Sequence, residues 1–149
     1  MIARLAGLAI DARFAIPAAM PGTLEPVARA RAARWVAANA LATRGIQLAV
    51  EGAPPSEPSL LVMRAASLSQ LLAAIASIPM LVDPASLPYR WRLALRALGL
   101  PALDRPAATA LSGGASVLTA EGRGCELAVD REWNGFRVRL ASPERTLPA

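Results

Sequence analysis

Histidine is absent from the 149 residues, and the chain has a single cysteine, Cys125. The absence of histidine excludes a histidine-based catalytic triad, a histidine general base and a histidine-ligated metal. A single cysteine excludes an intrachain disulfide framework and a cysteine-rich zinc site. Any chemistry would have to use Asp, Glu, Arg, Ser, Tyr or Cys125, and we expect neither a metal nor a cofactor.

The chain has more basic than acidic residues. All 16 basic residues are arginine, against 11 acidic residues, which gives a net charge of +5 and an isoelectric point of about 11.2. A basic protein attracts anionic partners such as nucleic acid or an anionic membrane. Aromatic residues are only 4% of the chain, a weak match to nucleic-acid modules. Apolar residues are 54% and the mean hydropathy is +0.38, so contact with a membrane or a partner surface is favoured, and nucleic acid is not the expected partner.

The length of 149 residues suits one domain, residues 1–149, with a sizeable core. The N-terminal segment, residues 1–22, carries Arg4, Asp11 and Arg13 and has no long apolar run. We therefore expect no signal peptide.

One uncharged run, Ala65–Val82, just reaches the lower limit for a membrane-spanning helix. It contains several serines, Gln70 and Pro79. These residues favour a buried helix followed by a strand over a segment that enters the bilayer.

Residues 23–44 are expected to form an amphipathic helix. Thr23 has the residue type of an N-cap, the helix is predicted over Leu24–Thr43, and Gly45 is its stop. The predicted outer face carries arginines beside a tryptophan: Arg29, Arg31, Arg34 and Trp35. Such a face can lie on anionic lipid, and a solvated face of a small domain is the alternative.

The rest of the chain alternates short strand patterns with helix patterns. Strands are predicted at Ile46–Glu51, Ser59–Met63, Met80–Val82, Leu100–Leu103 and Ser116–Thr119. Helices are predicted from near Ser67 to before Pro79, over Leu87–Leu98 and over Ala107–Leu111. The strand patterns Glu126–Trp133 and Phe136–Leu140 flank Asn134-Gly135, which predicts a hairpin. This order predicts a three-layer α/β fold: a mostly parallel sheet flanked by helices, with a C-terminal antiparallel hairpin.

Four blocks in the middle of the chain resemble the lysophospholipid (1-acylglycerol-3-phosphate) acyltransferase family. They are Gly45–Gly52, Leu60–Val62, Leu98–Arg105 and Ser116–Gly122. In that family the corresponding blocks are the strand that opens the core, the strand before the His-x4-Asp motif, the Leu-Gly…Asp-Arg block, and the strand that ends in Phe-Pro-Glu-Gly-Thr. Their order and rough spacing match over 45–122. Residues 123–149 are then a hairpin and tail, and the chain resembles a shortened member of the family.

The catalytic motif of the family is missing. Its histidine falls on Ala65 and its aspartate on Gln70. In the family, that histidine deprotonates the acceptor hydroxyl and the aspartate orients it. A methyl group cannot accept a proton, and general-base catalysis of this kind is worth roughly 10²–10⁴ in rate. Thr119 and Ala120 also replace the Phe-Pro of the third block.

The resemblance implies that part of an anion-binding site persists. Arg105 matches the arginine that contacts the substrate phosphate in the family, and Glu121 and Gly122 match the third block. Arg123 follows, and its guanidinium can bind a phosphate or carboxylate. The alternatives are a surface Arg105 that pairs with Asp104, and a structural ion pair between Glu121 and Arg105 or Arg123.

Two arginine-rich helices are candidates for contact with a membrane surface. Their candidate residues are Arg31, Arg34, Trp35, Arg90, Trp91 and Arg92. Aromatic rings at the headgroup level flanked by long cationic side chains are typical of interfacial helices. The alternative is that the second helix merely packs on the sheet.

The sequence thus predicts a catalytically inactive acyltransferase-like protein. It would act as a membrane-associated accessory or lipid-binding subunit within a larger membrane complex, held peripherally on the cytoplasmic face. The alternative is an active glycerophospholipid acyltransferase that transfers an acyl chain to a lysophospholipid by another mechanism. A basic nucleic-acid-binding protein is a third reading.

Overall fold

The structure, a computed structural model, describes residues 25–53, 55–64 and 67–140. The helices are α1 (Pro26–Ala42), α2 (Leu68–Ser77), α3 (Tyr89–Ala97) and α4 (Ala107–Ser112), with a 3₁₀ turn at Pro84–Ser86. The strands are β1 (Gln47–Glu51), β2 (Leu60–Val62), β3 (Leu81–Val82), β4 (Val117–Thr119), β5 (Cys125–Glu132) and β6 (Gly135–Leu140). The predicted N-cap Thr23 and position 65 lie outside the described residues.

Within these residues the strands form a six-stranded sheet in the order β1-β6-β5-β2-β4-β3. Every neighbouring pair is parallel except β5 and β6, which form an antiparallel hairpin. The predicted α/β class, with a mostly parallel sheet and a C-terminal hairpin, is confirmed.

Helix α1 begins with Pro26 at its first position, where a missing N–H costs nothing. Its last helical residue is Ala42. The chain turns away from the helix at Gly45, the predicted stop, which adopts a φ of +69°. The amides of Gly45 and Ile46 donate to the carbonyls of Ala42 and Leu41, at 3.0 Å each, in a Schellman motif.

Helix α1 is not the amphipathic helix that the sequence predicted. Its buried side is mostly alanine, and Arg29 lies on that side with 7% of its surface exposed. Arg31 and Arg34 are half-buried on other parts of the helix. A helix turns by about 100° per residue, so Arg29 and Arg31 are nearly opposite each other and cannot share one outer face.

The segment from Ser67 to Val82 folds as a buried helix followed by a strand, as predicted. Ser67 caps α2 by accepting a hydrogen bond from the amide of Gln70 at 3.3 Å. The middle of α2, Leu71–Ile75, is buried in the core. In the part of the chain that the structure describes, no helix combines the length and the apolar character needed to cross a bilayer.

Alternate residues of the central strands enter two apolar clusters. Leu61, Val82 and Leu118 belong to the larger cluster, which also takes the buried side chains of α2. Leu81 and Val117 belong to a smaller cluster, which includes Ala110 of α4. Side chains alternate between the two faces of a strand, so the two clusters lie on opposite faces of the sheet.

The hairpin differs from its prediction by one residue. Glu132 pairs with Gly135, so Trp133 and Asn134 form the turn and Gly135 begins β6. No non-glycine residue among those described has a positive φ, and Gly135 has none either, so this turn does not require the Asn-Gly geometry. Apolar residues alternate with arginines along β6, and Phe136 and Val138 are buried on one face.

The predicted strand Leu100–Leu103 is not a strand. Its contact with the sheet is a bond from the amide of Leu103 to the carbonyl of Val82, 2.9 Å long. Because Val82 is the last residue of β3, this bond holds the residues after Leu103 near the carboxyl end of β3.

Candidate functional site

The carboxyl ends of β2, β3 and β4 meet at one edge of the sheet, which we call the carboxyl edge. Asp83 directly follows β3, whereas Arg64 and Glu121 lie two positions after the last residues of β2 and β4. The amide of Met63 extends the ladder by donating to the Thr119 carbonyl at 3.1 Å. In open parallel sheets, ligands bind beyond this end of the strands. The carboxyl edge is therefore the candidate site.

Hydrogen bonds fix the loops that leave β3 and β4. The hydroxyl of Ser86 accepts from the Ala120 amide at 3.0 Å and donates to the Asp83 carbonyl at 2.8 Å. The hydroxyl of Thr119 accepts from the Glu121 amide at 3.2 Å and donates to the Glu121 carbonyl at 3.0 Å. The start of the Glu121 loop is thereby held in one conformation.

Arg105, the predicted phosphate contact, forms an ion pair with its neighbour Asp104. Its Nε donates to Oδ1 of Asp104 at 2.8 Å, and its Nη2 donates to Oδ2 at 3.3 Å. The side-chain hydrogen bond that Arg105 donates to Asp104 raises the pKa of Arg105. The alternative reading, an arginine paired with Asp104, is confirmed, and a phosphate would have to compete with this carboxylate.

No sequence pattern predicted the second partner of Asp104, which is Arg29 on α1. Its Nε donates to the Ala102 carbonyl at 2.7 Å and lies 3.6 Å from Oδ2 of Asp104. Burial lowers the pKa of the Arg29 guanidinium, and the charge of Asp104 acts in the opposite direction. One carboxylate thus faces two guanidinium groups, and this trio keeps a net positive charge.

Glu121, Gly122 and Arg123 are exposed in the loop that leaves the carboxyl edge after β4, where Gly122 has a φ of +96°. By Gly124 this loop has returned to the level of Leu60, at the start of β2, and Cys125 then pairs with Leu61. Among the residues that the structure describes, Glu121 makes no ion pair. The predicted structural ion pair of Glu121 with Arg105 or Arg123 is therefore wrong, because Arg105 is turned to Asp104. Arg64, for which no sequence motif predicted a role, is an exposed cation at this edge.

The carboxyl edge brings together cations and one exposed carboxylate. Within the described ranges, no group of three His, Cys, Asp or Glu side chains can hold a metal ion. Gln70, which the resemblance predicted at the aspartate position of the acyltransferase motif, donates from Nε2 to the Val129 carbonyl at 3.4 Å. This arrangement can bind an anion, but it offers no imidazole to take a proton from a hydroxyl group.

The candidates for membrane contact fall into different environments. Arg90 and Arg92 on α3 are exposed, whereas Trp35, like Arg31 and Arg34, is half-buried on α1. Trp91 is 9% exposed and packs in the larger core cluster. Its prediction as a surface residue is wrong, because it shares the inner face of α3 with Leu95.

A cleft of about 270 Å³ opens at the other end of these strands, where β2, β3 and β4 begin. Its lining comprises Val27, Arg31, Pro55, Ser56, Glu57, Pro58, Ile78, Pro79, Gly114 and Ser116. Of the predicted site residues, Arg31 lines it. The cleft is therefore separate from the carboxyl edge.

Comparisons of the chain with protein-family models, with curated proteins and with solved structures find no match.

Proposed function

We propose that the chain is a catalytically inactive acyltransferase-like protein. It acts as a membrane-associated accessory or lipid-binding subunit within a larger membrane complex, peripherally on the cytoplasmic face. Its ligand at the carboxyl edge is the anionic headgroup of a lysophospholipid. The observation that carries this proposal is the convergence, at one sheet edge, of the ends of three blocks that resemble the acyltransferase family.

The three blocks reach this edge by different routes. The block Leu60–Val62 is β2, and Ser116–Gly122 contains β4, its parallel neighbour. The block Leu98–Arg105 ends beside β3 through the bond from Leu103 to Val82. These three blocks are distant in sequence, so their common end in space supports a shared site.

The absence of a proton acceptor supports the inactive form of the proposal. The chain contains no histidine, and the family's histidine and aspartate are replaced by Ala65 and Gln70. Glu121 is the exposed carboxylate at the carboxyl edge. In the resemblance it matches the third block, which binds the anion, whereas the histidine base falls on Ala65. The arginines are charged at neutral pH and cannot serve as bases.

The proposal includes a three-layer architecture with helices on both faces of the sheet. Two apolar clusters on opposite faces support it, since α2 contributes to the larger one and α4 to the smaller one. Parallel strands joined by helical crossovers are normally covered on both faces.

In an acyl-transfer assay with labelled acyl donor and lysophosphatidic acid, the purified chain is expected to give no turnover above the protein-free blank. The reason is that Ala65 stands where the resemblance places the histidine base, and a methyl group cannot take a proton from the acceptor hydroxyl. Turnover above the blank that is lost in Arg105→Ala and kept in Arg44→Ala would instead establish an active glycerophospholipid acyltransferase. Arg44 is exposed at the end of α1 and lies outside the candidate site.

Titration calorimetry with lysophosphatidic acid below its micelle concentration tests the binding site. Arg123→Gln is expected to weaken binding about tenfold, because a hydrogen bond to a charged group contributes about 1.5 kcal/mol or more. Arg44→Gln removes the same charge away from the site and is the control. Equal binding by wild type and Arg123→Gln would refute Arg123 as a headgroup contact.

A further inference from the structure

The outward face of α3 is basic, apolar at its centre and exposed. Tyr89 is 66% exposed and Leu93 is 46% exposed, although both are large and apolar. Arg90, Arg92 and Arg96 are exposed on the same helix, which contains no acidic residue. Large exposed apolar side chains in a group usually mark a contact surface.

The orientation of this face is fixed by the inner face of the helix. Trp91 and Leu95 are buried in the core, at 9% and 3% exposure, so α3 cannot rotate about its axis. With about 100° per residue, Tyr89 and Leu93 lie at the centre of the outward face. Arg92 and Arg96 lie on one side of that centre and Arg90 lies on the other.

Among the residues that the structure describes, Arg90, Arg92 and Arg96 form no ion pair with an acidic side chain. The flanking acidic residues are Asp83 and Asp104. Asp83 accepts from the amide of Ala85 at 3.1 Å, and Asp104 binds Arg105 at 2.8 Å. The guanidinium carbon of Arg92 lies 5.4 Å from the centre of the Tyr89 ring, which holds a cation beside an exposed aromatic group.

We infer that the outward face of α3 is the docking surface of this chain for an anionic lipid bilayer. Tyr89 and Leu93 enter the headgroup region, and the flanking arginines bind lipid phosphates. The apolar centre favours a bilayer over nucleic acid, because phosphate backbones offer nothing for Leu93 to enter. This inference deepens the proposed function, on which it rests for the presence of a membrane, by naming the contact face.

Flotation of the full chain with vesicles tests the inference. We expect binding to vesicles of phosphatidylcholine mixed with phosphatidylglycerol, and little binding to phosphatidylcholine alone. Each arginine near an anionic surface contributes roughly a fivefold gain in binding, so Arg92→Gln/Arg96→Gln should lose about 30-fold. Leu93→Asn should lose about tenfold, because its side chain no longer leaves water.

The control is Arg44→Gln/Arg131→Gln, which removes the same charge from two exposed arginines. Arg44 precedes β1, at the end of the sheet opposite β3, and Arg131 lies in β5, paired with Phe136 of β6. The control should bind within about threefold of wild type because salt screens distant charges. Thermal unfolding curves that match wild type establish that all variants fold.

Three results would overturn the inference: no flotation of wild type on anionic vesicles, equal losses in the two double variants, or equal binding to zwitterionic vesicles. Binding of duplex DNA with the same loss in Arg92→Gln/Arg96→Gln, without vesicle binding, would assign the face to nucleic acid and overturn it as well. A chain that binds vesicles as expected but turns over acyl donor would refute the proposed function and leave this inference standing. A chain that does not float but binds lysophosphatidic acid would refute this inference and leave the proposed function standing.

Discussion

Replacement of Asp104 by alanine is expected to lower the free energy of unfolding by about 3 kcal/mol, because it leaves a buried guanidinium without its counter-charge. Arg29 has a side-chain exposure of 8%, so water cannot replace the lost carboxylate. Its Nε also donates to the Ala102 carbonyl at 2.7 Å, and that acceptor is a neutral group. The loss is measured by chemical denaturation at neutral pH.

A matched surface pair separates the effect of burial from that of the ion pair itself. Asp130 pairs with Arg139 at 2.8 Å, the same distance as Asp104 to Arg105. Both side chains of the Asp130–Arg139 pair are about half exposed. Asp130→Ala is therefore expected to cost at most about 1 kcal/mol. Similar losses for Asp104→Ala and Asp130→Ala would contradict the role given to Arg29.

The double variant Arg29→Met/Asp104→Ala extends this experiment. Because Met removes the buried charge and keeps much of the apolar stem, the double variant is expected to cost less than the sum of the single variants. Strict additivity would mean that Arg29 and Asp104 do not interact. The coupling also bears on function, since Asp104 holds Arg105 and ties the Leu98–Arg105 block to α1.

The sequence identified features that depend on local physics. Gly45 ends α1 because a left-handed residue closes the Schellman motif, and Ser67 begins α2 because its hydroxyl caps the helix. Alternation in β6 identified Phe136 and Val138 as buried. Each of these features is set by residues only a few positions apart, so a single sequence contains the whole signal.

Features that depend on distant partners were not predictable in this way. Arg29 and Ala102 are 73 positions apart, and no local pattern links them. Alanine occupies most of the buried side of α1 and occurs on its other sides too, so hydropathy does not distinguish an inner face. The arginines of that helix therefore all looked like surface residues.

The candidate site was predictable in part. The resemblance of the four blocks led to Arg105 and Glu121, and the topology places both after strands or strand-like segments that reach the carboxyl edge. The pairing of Arg105 with Asp104 was an alternative rather than the first choice, because adjacent residues pair only when the backbone turns them the same way. Trp91 was misplaced because its arginine neighbours suggested an interface, whereas its burial is decided by the position of Leu95 on the same helix face.

At Gly135, β6 begins against the backbone of β1. A Cβ atom built there would lie less than 3.0 Å from the carbonyl oxygen, the carbonyl carbon and the amide nitrogen of Gln47. These are backbone atoms of a paired strand, so no side-chain rotation can relieve the clash. Relief requires β1 to separate from β6, along the register from Gln47↔Gly135 to Glu51↔Arg139.

Gly135→Ala is therefore expected to lower the free energy of unfolding by about 3 kcal/mol, the upper range for inserting atoms where there is no space. The amide of Gln47, which donates to the Asn134 carbonyl at 3.0 Å, should lose its protection against hydrogen exchange. Asn134→Ala is the control and should change stability by less than about 0.5 kcal/mol, because the β1 contact uses only the backbone of Asn134. If Gly135→Ala unfolds like the control and the Gln47 amide stays protected, β1 does not pair with β6 in this register, and the sheet order that positions the hairpin beside the candidate site would have to be redrawn.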